Sequence, residues 1–193
     1  LENRPANYHW SQLLPVYEKE LADFSAQVAA LKSGGPAAFK AQLLATMEGA
    51  PFTLHGSQAE VYTVKAGNAV FTDDQTPIQT TATELEGLKG IRFPRAAAAQ
   101  GSLGPIEFSS DVPVRVLIGY ARKESPEWRP APRSEFDAAA AARGGTEPLL
   151  VDAVKIPGMP TIDVYELSFE AGRHKIEPSG SGAFLILGVV RGK

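Results

Sequence analysis

The chain contains no cysteine. Disulfides, thiolate metal sites and cysteine nucleophiles are therefore excluded together. The compartment is not fixed by this, because cysteine-free folds occur both inside the cell and among exported bacterial proteins. Histidine is scarce. His9, His55 and His174 stand far apart and lack the H-E-x-x-H spacing that sets two imidazoles on one helix face, so no zinc site is expected. The glycine fingerprints that cradle phosphates are missing, as is the G-x-S-x-G nucleophile elbow, and the Gly-Ser run at 179–182 reads as a flexible turn. No cofactor is expected. Lys and Arg number 19 against 22 Asp and Glu, a net charge of −3, which does not supply the basic face a nucleic acid needs. Long apolar runs are absent too. The longest, 183–190, is of strand length, far short of the ~20 residues of a membrane helix.

The 193 residues, 44% hydrophobic and 21% charged, suit one domain of ordinary size, with or without a small appendage. The opening Leu1-Glu2-Asn3-Arg4-Pro5 has no initiator Met and no apolar leader run, as expected of a trimmed or mature fragment, from which a signal peptide could have been removed without trace. Leu14, Tyr17, Leu21, Phe24, Val28 and Leu31 then recur at spacings of 3 and 4, the apolar stripe of a helix. Ser33-Gly34-Gly35 ends it, and Pro36 opens a second helix carrying Phe39, Leu43, Leu44 and Met47 and ending near Gly49. An αα-hairpin is expected over 1–50, with Trp10 as its staple.

After Pro51 the period changes. Short apolar stretches separated by turn residues predict strands at 52–55, 60–65, 69–72, 77–81, 83–86, 89–93, 105–109, 111–121, 149–156, 161–169 and 183–190, with a further arm at 170–176. Ala66-Gly67-Asn68 reads as a hairpin turn between the second and third of these. Residues 95–104 read as a loop, and Ser134-Glu135-Phe136-Asp137 as the start of one short helix. The clearest strand holds Val112, Val114, Val116, Ile118 and Tyr120 at alternate positions. That pattern turns these residues inward and Arg115 outward, so Arg115→Ala should matter little. Many short strands without βαβ alternation predict an antiparallel β-sandwich over 51–193.

The phrases LEGLKGIRFPR at 85–95, PIEFSSDVPVRVLIGYARKESPEW at 105–128, DVYELSFEAGRHKI at 163–176 and GAFLILGVV at 182–190 together resemble the galactose-binding-like jelly-roll modules appended to bacterial carbohydrate-active and other secreted enzymes. The resemblance covers 52–193. It implies a mainly β, antiparallel jelly-roll sandwich, an accessory role, an extracytoplasmic setting and a glycan or a neighbouring domain as partner. It carries over no catalytic residue.

The loop after the clear strand is the candidate ligand site. Trp128 offers an apolar face on which a sugar ring can stack, and Arg122, Glu124 and Arg129 offer donors and acceptors for hydroxyls. The plainer reading is that Trp128 plugs the end of the sandwich. Asp73 and Asp74 can hold calcium or act as turn caps. Glu107, Asp111, Glu124, Asp163 and Glu166 are acids on strands or loops, which a glycosidase would have to pair across a cleft. The leading expectation is a non-catalytic accessory module. The alternatives are a structural or oligomerisation domain without a small ligand, and a glycosidase or lyase using loop carboxylates.

Overall fold

The computed structural model describes residues 18–19, 21–22, 24–26, 28–29, 32, 47–56, 58–123, 125–132, 148–178 and 180–192. The chain forms two compact units, 1–45 and 46–193. In the first, the described residues between 18 and 32 are helical, with Leu21 66% and Phe24 64% exposed. The expected αα-hairpin is not supported. Its second arm up to residue 46 lies outside the described residues, as do Trp10, His9 and the short helix expected at 134. The end of that arm belongs to the other unit: Met47 is buried in its core, Gly49 bridges Val190, and the Ala50 N–H donates to the Val189 carbonyl.

The second unit is mainly β, a sandwich-like pair of sheets in which every strand pairing is antiparallel. Its strands are β1 (Thr53–His55), β2 (Glu60–Thr63), β3 (Thr80–Thr81), β4 (Lys89–Arg92), β5 (Ile106–Ser110), β6 (Val114–Ala121), β7 (Pro148–Lys155), β8 (Ile162–Phe169), β9 (Gly172–Ile176) and β10 (Leu185–Arg191). The large sheet runs β2-β4-β10-β6-β8-β7-β3, and the small one β1-β5-β9. The sheets meet where Phe108 of β5 packs edge-on against Phe169 of β8, at 5.3 Å between ring centres. The large sheet also curls. Gly67 donates to Ile78 and Ile78 to Asn68, while Gln79 donates to Lys155, so the segment joining β2 to β3 draws the two outer strands toward each other.

Three local expectations fail for physical reasons. The turn at 66–68 does not fold its arms into a hairpin: β2 pairs with β4, and the Val64 N–H donates to Leu88. Residues 83–85 form a 3-10 turn. Residues 95–99 form a helix, α1 (Arg95–Ala99), whose first N–H groups donate to the Asp73 carboxylate from Arg95 and Ala96. Asp73 is therefore a cap supplied from a distant part of the chain, meeting the helix's otherwise unpaired donors. Among the described residues no helix is long and apolar enough to cross a membrane.

Every residue of β6 is buried, Arg115 included. Alternation fails here because both faces of the central strands are covered. Arg115, 4% exposed, extends its Nη1 to Glu166 Oε2 at 2.6 Å and its Nε to the Arg191 carbonyl at 3.2 Å. The expectation that Arg115 faces outward is overturned. A buried cation joined to a carboxylate and a backbone oxygen is costly to remove, because its partners are left unmatched.

Two measurements follow. Arg115→Ala should lower the free energy of unfolding in urea by about 2–3 kcal/mol; an unchanged midpoint would show the pair to be dispensable. Removing 1–45 should leave a cooperative β transition. Removing 1–50 should weaken it by about 3 kcal/mol, through loss of a buried Met and two backbone hydrogen bonds. A chain of residues 46–193 without a cooperative melt would refute the division.

Candidate functional site

The loop leaving β6 is tied down on both sides. Arg122 N–H donates to the Thr161 carbonyl, continuing the β6–β8 pairing for one more residue. Further along, the Ala183 N–H donates to Glu127 and the Arg129 N–H to Ala183, so 127–129 lies along the lead-in to β10. This close approach requires Gly182. A Cβ there would sit 2.6 Å from the Arg129 nitrogen, and the residue's φ of +112° suits glycine alone.

That pairing turns Trp128 inward. The indole is 3% exposed, with its ring centre 6.1 Å from Phe71 and the Arg95 guanidinium 5.3 Å from its centre. It has no free face for a sugar, and it plugs the core, as the plainer reading holds. Phe71 continues the contact to Phe93, and Phe93 to Phe184, at 6.0 and 4.8 Å. Arg129 closes this aromatic row, its guanidinium 5.2 Å from the centre of the Phe184 ring.

The two candidate arginines have different situations. Arg122 grips Asp163 with two hydrogen bonds, Nε to Oδ2 at 2.8 Å and Nη2 to Oδ1 at 2.7 Å. Asp163 also accepts from the Asp152 N–H at 2.8 Å. Asp152 stands in the irregular part of β7, with φ of 51°. The Arg122 bonds above all, aided by the Asp152 N–H and opposed by burial, hold the Asp163 carboxyl below its usual range. Arg129 donates Nη2 to the Gly180 carbonyl at 2.7 Å, and its Nε is buried without a hydrogen bond. Burial lowers its pKa, and the neighbouring Tyr120 partly offsets this. Tyr120 itself meets Tyr165 edge-on at 5.6 Å. Arg122 and Arg129 thus flank one end of the sheet. Glu124 lies outside the described residues.

Asp74 and Glu107 are engaged in ion pairs, whereas Asp111 is exposed. Asp74 accepts from Thr76 and Arg95, which lowers its pKa. With Asp73 on α1, both aspartates of that turn serve as caps and partners. Glu107 is held by Arg173 and Lys175 and is likewise lowered. His55 contacts Ser109, and His174 contacts the Glu170 carbonyl. Among the described residues no cluster of His, Asp and Glu is arranged to hold a metal.

One further concavity was not legible in the sequence. An open cavity of about 440 Å³ lies beside the outer strand β2, lined by Val61, Thr63, Asn68, Gln75 and Arg92 among others. Asn68 donates to the Thr63 carbonyl, Gln75 to Thr72, and Arg92 pairs with Glu60 at 2.8 Å, whereas the Tyr62 hydroxyl and the Arg92 Nε are buried without a hydrogen bond. Its residues come from three separate segments, and only Asn68 belongs to a recognisable turn.

No protein-family model matches the chain, and no curated protein does. Among solved structures, the chain is similar to a GH138 enzyme targeting pectin rhamnogalacturonan II, with a TM-score of 0.69 and 27% identity over 97% of this chain. The match takes in 21% of that enzyme, so the chain spans about a fifth of its length. The similarity therefore reaches beyond 52–193 into the N-terminal unit.

Asp163 gives the site a pH signature. Its folded pKa is depressed, so its contribution is complete above the unfolded value of ~3.9 and is lost as pH falls through the folded value. Asp163→Asn should be less stable than the wild type at neutral pH, and the gap should narrow on acidification below pH 4. A gap that is constant with pH, measured by urea unfolding, would mean the carboxylate charge does not matter there.

Proposed function

We propose that this chain is a non-catalytic, glycan-related accessory module of a larger carbohydrate-active enzyme, with a sandwich of galactose-binding-like, jelly-roll type. The observation that carries the proposal is the asymmetric match, in which almost the whole chain aligns with about a fifth of a GH138 enzyme. A piece of that size has the dimensions of a domain. An exported setting is part of the proposal, because polymeric glycans lie outside the cell.

The carboxylates favour this reading over a glycosidase. A general acid for glycoside cleavage needs its pKa raised by an apolar pocket or a neighbouring carboxylate. Among the described residues, Asp74, Glu107 and Asp163 are instead held below the usual carboxylate range, through hydrogen bonds to hydroxyl, backbone or cationic groups.

The test is calorimetric titration of the chain with a panel of neutral oligosaccharides, alongside an assay for new reducing ends. Binding at roughly millimolar to high micromolar Kd, without cleavage, is the expected result. Cleavage by this chain alone would replace the proposal with the glycosidase or lyase reading. Silence across all saccharides would leave a structural or oligomerisation domain.

A further inference from the structure

Among the described strands, β2 pairs with β4 alone and so forms one edge of the large sheet. The Val64 N–H donates to Leu88 and its carbonyl accepts from Gly87. The backbone groups of Val64, Tyr62 and Glu60 therefore turn toward β4. Those of Val61 and Thr63 turn the other way, because direction alternates along an antiparallel strand. The Thr63 carbonyl bears this out by accepting from the Asn68 side chain, which also lines the cavity beside β2. The Val61 N–H and carbonyl thus face the cavity side of the strand, next to a side chain that is 45% exposed.

The lining offers hydrogen-bonding groups without a free charge. Asn68 and Gln75 each place an amide N–H on a backbone carbonyl and keep the amide oxygen as an acceptor. The Thr63 hydroxyl accepts from Lys89 at 2.8 Å and keeps its own O–H as a donor. Arg92 is neutralised by Glu60. Mixed donors and acceptors match hydroxyl groups, which give and accept alike. A carboxylate only accepts, and it would meet amide oxygens and the neighbouring Glu60. The volume of about 440 Å³ is that of a small-ligand pocket, and Val61 adds apolar surface for C–H groups.

Two buried groups at the same place lack a partner. The Tyr62 hydroxyl and the Arg92 Nε are shielded from water and make no hydrogen bond. Such groups are costly to leave unmatched. Tyr62 is held there by its packing: its ring crosses Gly90 of β4, where a Cβ would lie 2.7 Å from the ring. The Arg92 guanidinium is close enough to offset part of the rise that burial imposes on the Tyr62 pKa. Arg92 is the movable member of the pair, with its side chain 29% exposed and its tip held by the exposed Glu60.

We propose that the cavity beside β2 is the site of a neutral saccharide. Its hydroxyls bond the Val61 backbone and the Asn68 and Gln75 amides, and Arg92 turns aside so that the Tyr62 hydroxyl gains a partner. This rests on the glycan-related reading and gives that reading a place and a ligand charge.

The experiment titrates the full chain with galactose, galactobiose and galacturonate. The neutral sugars should bind at least as tightly as the acid. Tyr62→Phe removes an unmatched hydroxyl, so the variant should melt no lower than the wild type, yet bind the neutral sugars about three- to tenfold more weakly. Glu60→Gln leaves Arg92 without its counter-charge and should move the preference toward galacturonate. Arg173→Gln, on the small sheet, should change neither affinity nor preference. If Tyr62→Phe fails to give the wild-type near-ultraviolet circular dichroism, Glu60→Gln decides. A wild-type preference for galacturonate would overturn the proposal. Neutral-sugar binding that Tyr62→Phe and Glu60→Gln both leave unchanged would overturn it too, and the glycan-related reading would stand with its site elsewhere. Binding of no saccharide would remove both this proposal and the reading beneath it.

Discussion

The fold depends on the satisfaction of β10. Residues 185–190 are buried throughout, so each backbone polar group there must find a partner inside the protein. Partners come from β4 on one side and β6 on the other. The flanking residues recruit more: Gly49 and Ala50 dock near its end, and Trp128 lies against Ala183 ahead of its start. The placements of the chain around Met47, of the candidate loop and of the central sheet are thus consequences of one strand's hydrogen-bonding requirement.

A second principle organises the polar groups. Arg115, Arg122, Arg95 and Arg92 each reach across to an acid on another strand or loop. They pin the ends and faces of the sheet where apolar contact gives way to solvent. Isolated exposed pairs contribute little, but Arg115 and Asp163 are themselves buried, and there partner choice is strongly constrained. Among the described arginines Arg129 departs from that pattern, its guanidinium bonding the neutral Gly180 carbonyl and lying over Phe184.

Most strands were legible because apolar alternation and turn residues are local signals. β1, β2, β4, β5, β6, β8 and β10 lie close to where those signals put them. The failures are all non-local. Arg115 was read outward because period-two alternation assumes one wet face, whereas β6 is covered on both. The helix α1 was read as a loop because its cap, Asp73, lies more than twenty residues earlier in the chain. Trp128 was read as a candidate platform because sequence shows a Trp among charges and proline residues, but not the Ala183 strand edge that turns it inward. Arg122 and Arg129 were both named from sequence; that one has an acid partner and the other does not is a fact of three-dimensional placement. The cavity beside β2 has no linear signature.

The position of β10 in the sheet has a consequence for how the protein is made. It is the last of the ten strands among the described residues, yet it lies between β4 and β6. Until residues 185–191 have cleared the ribosome, β4 and β6 present two unpaired edges with an apolar gap between them. Such edges are templates for pairing with other chains, and contacts this distant in sequence form slowly. The large sheet therefore cannot close until 185–191 are available.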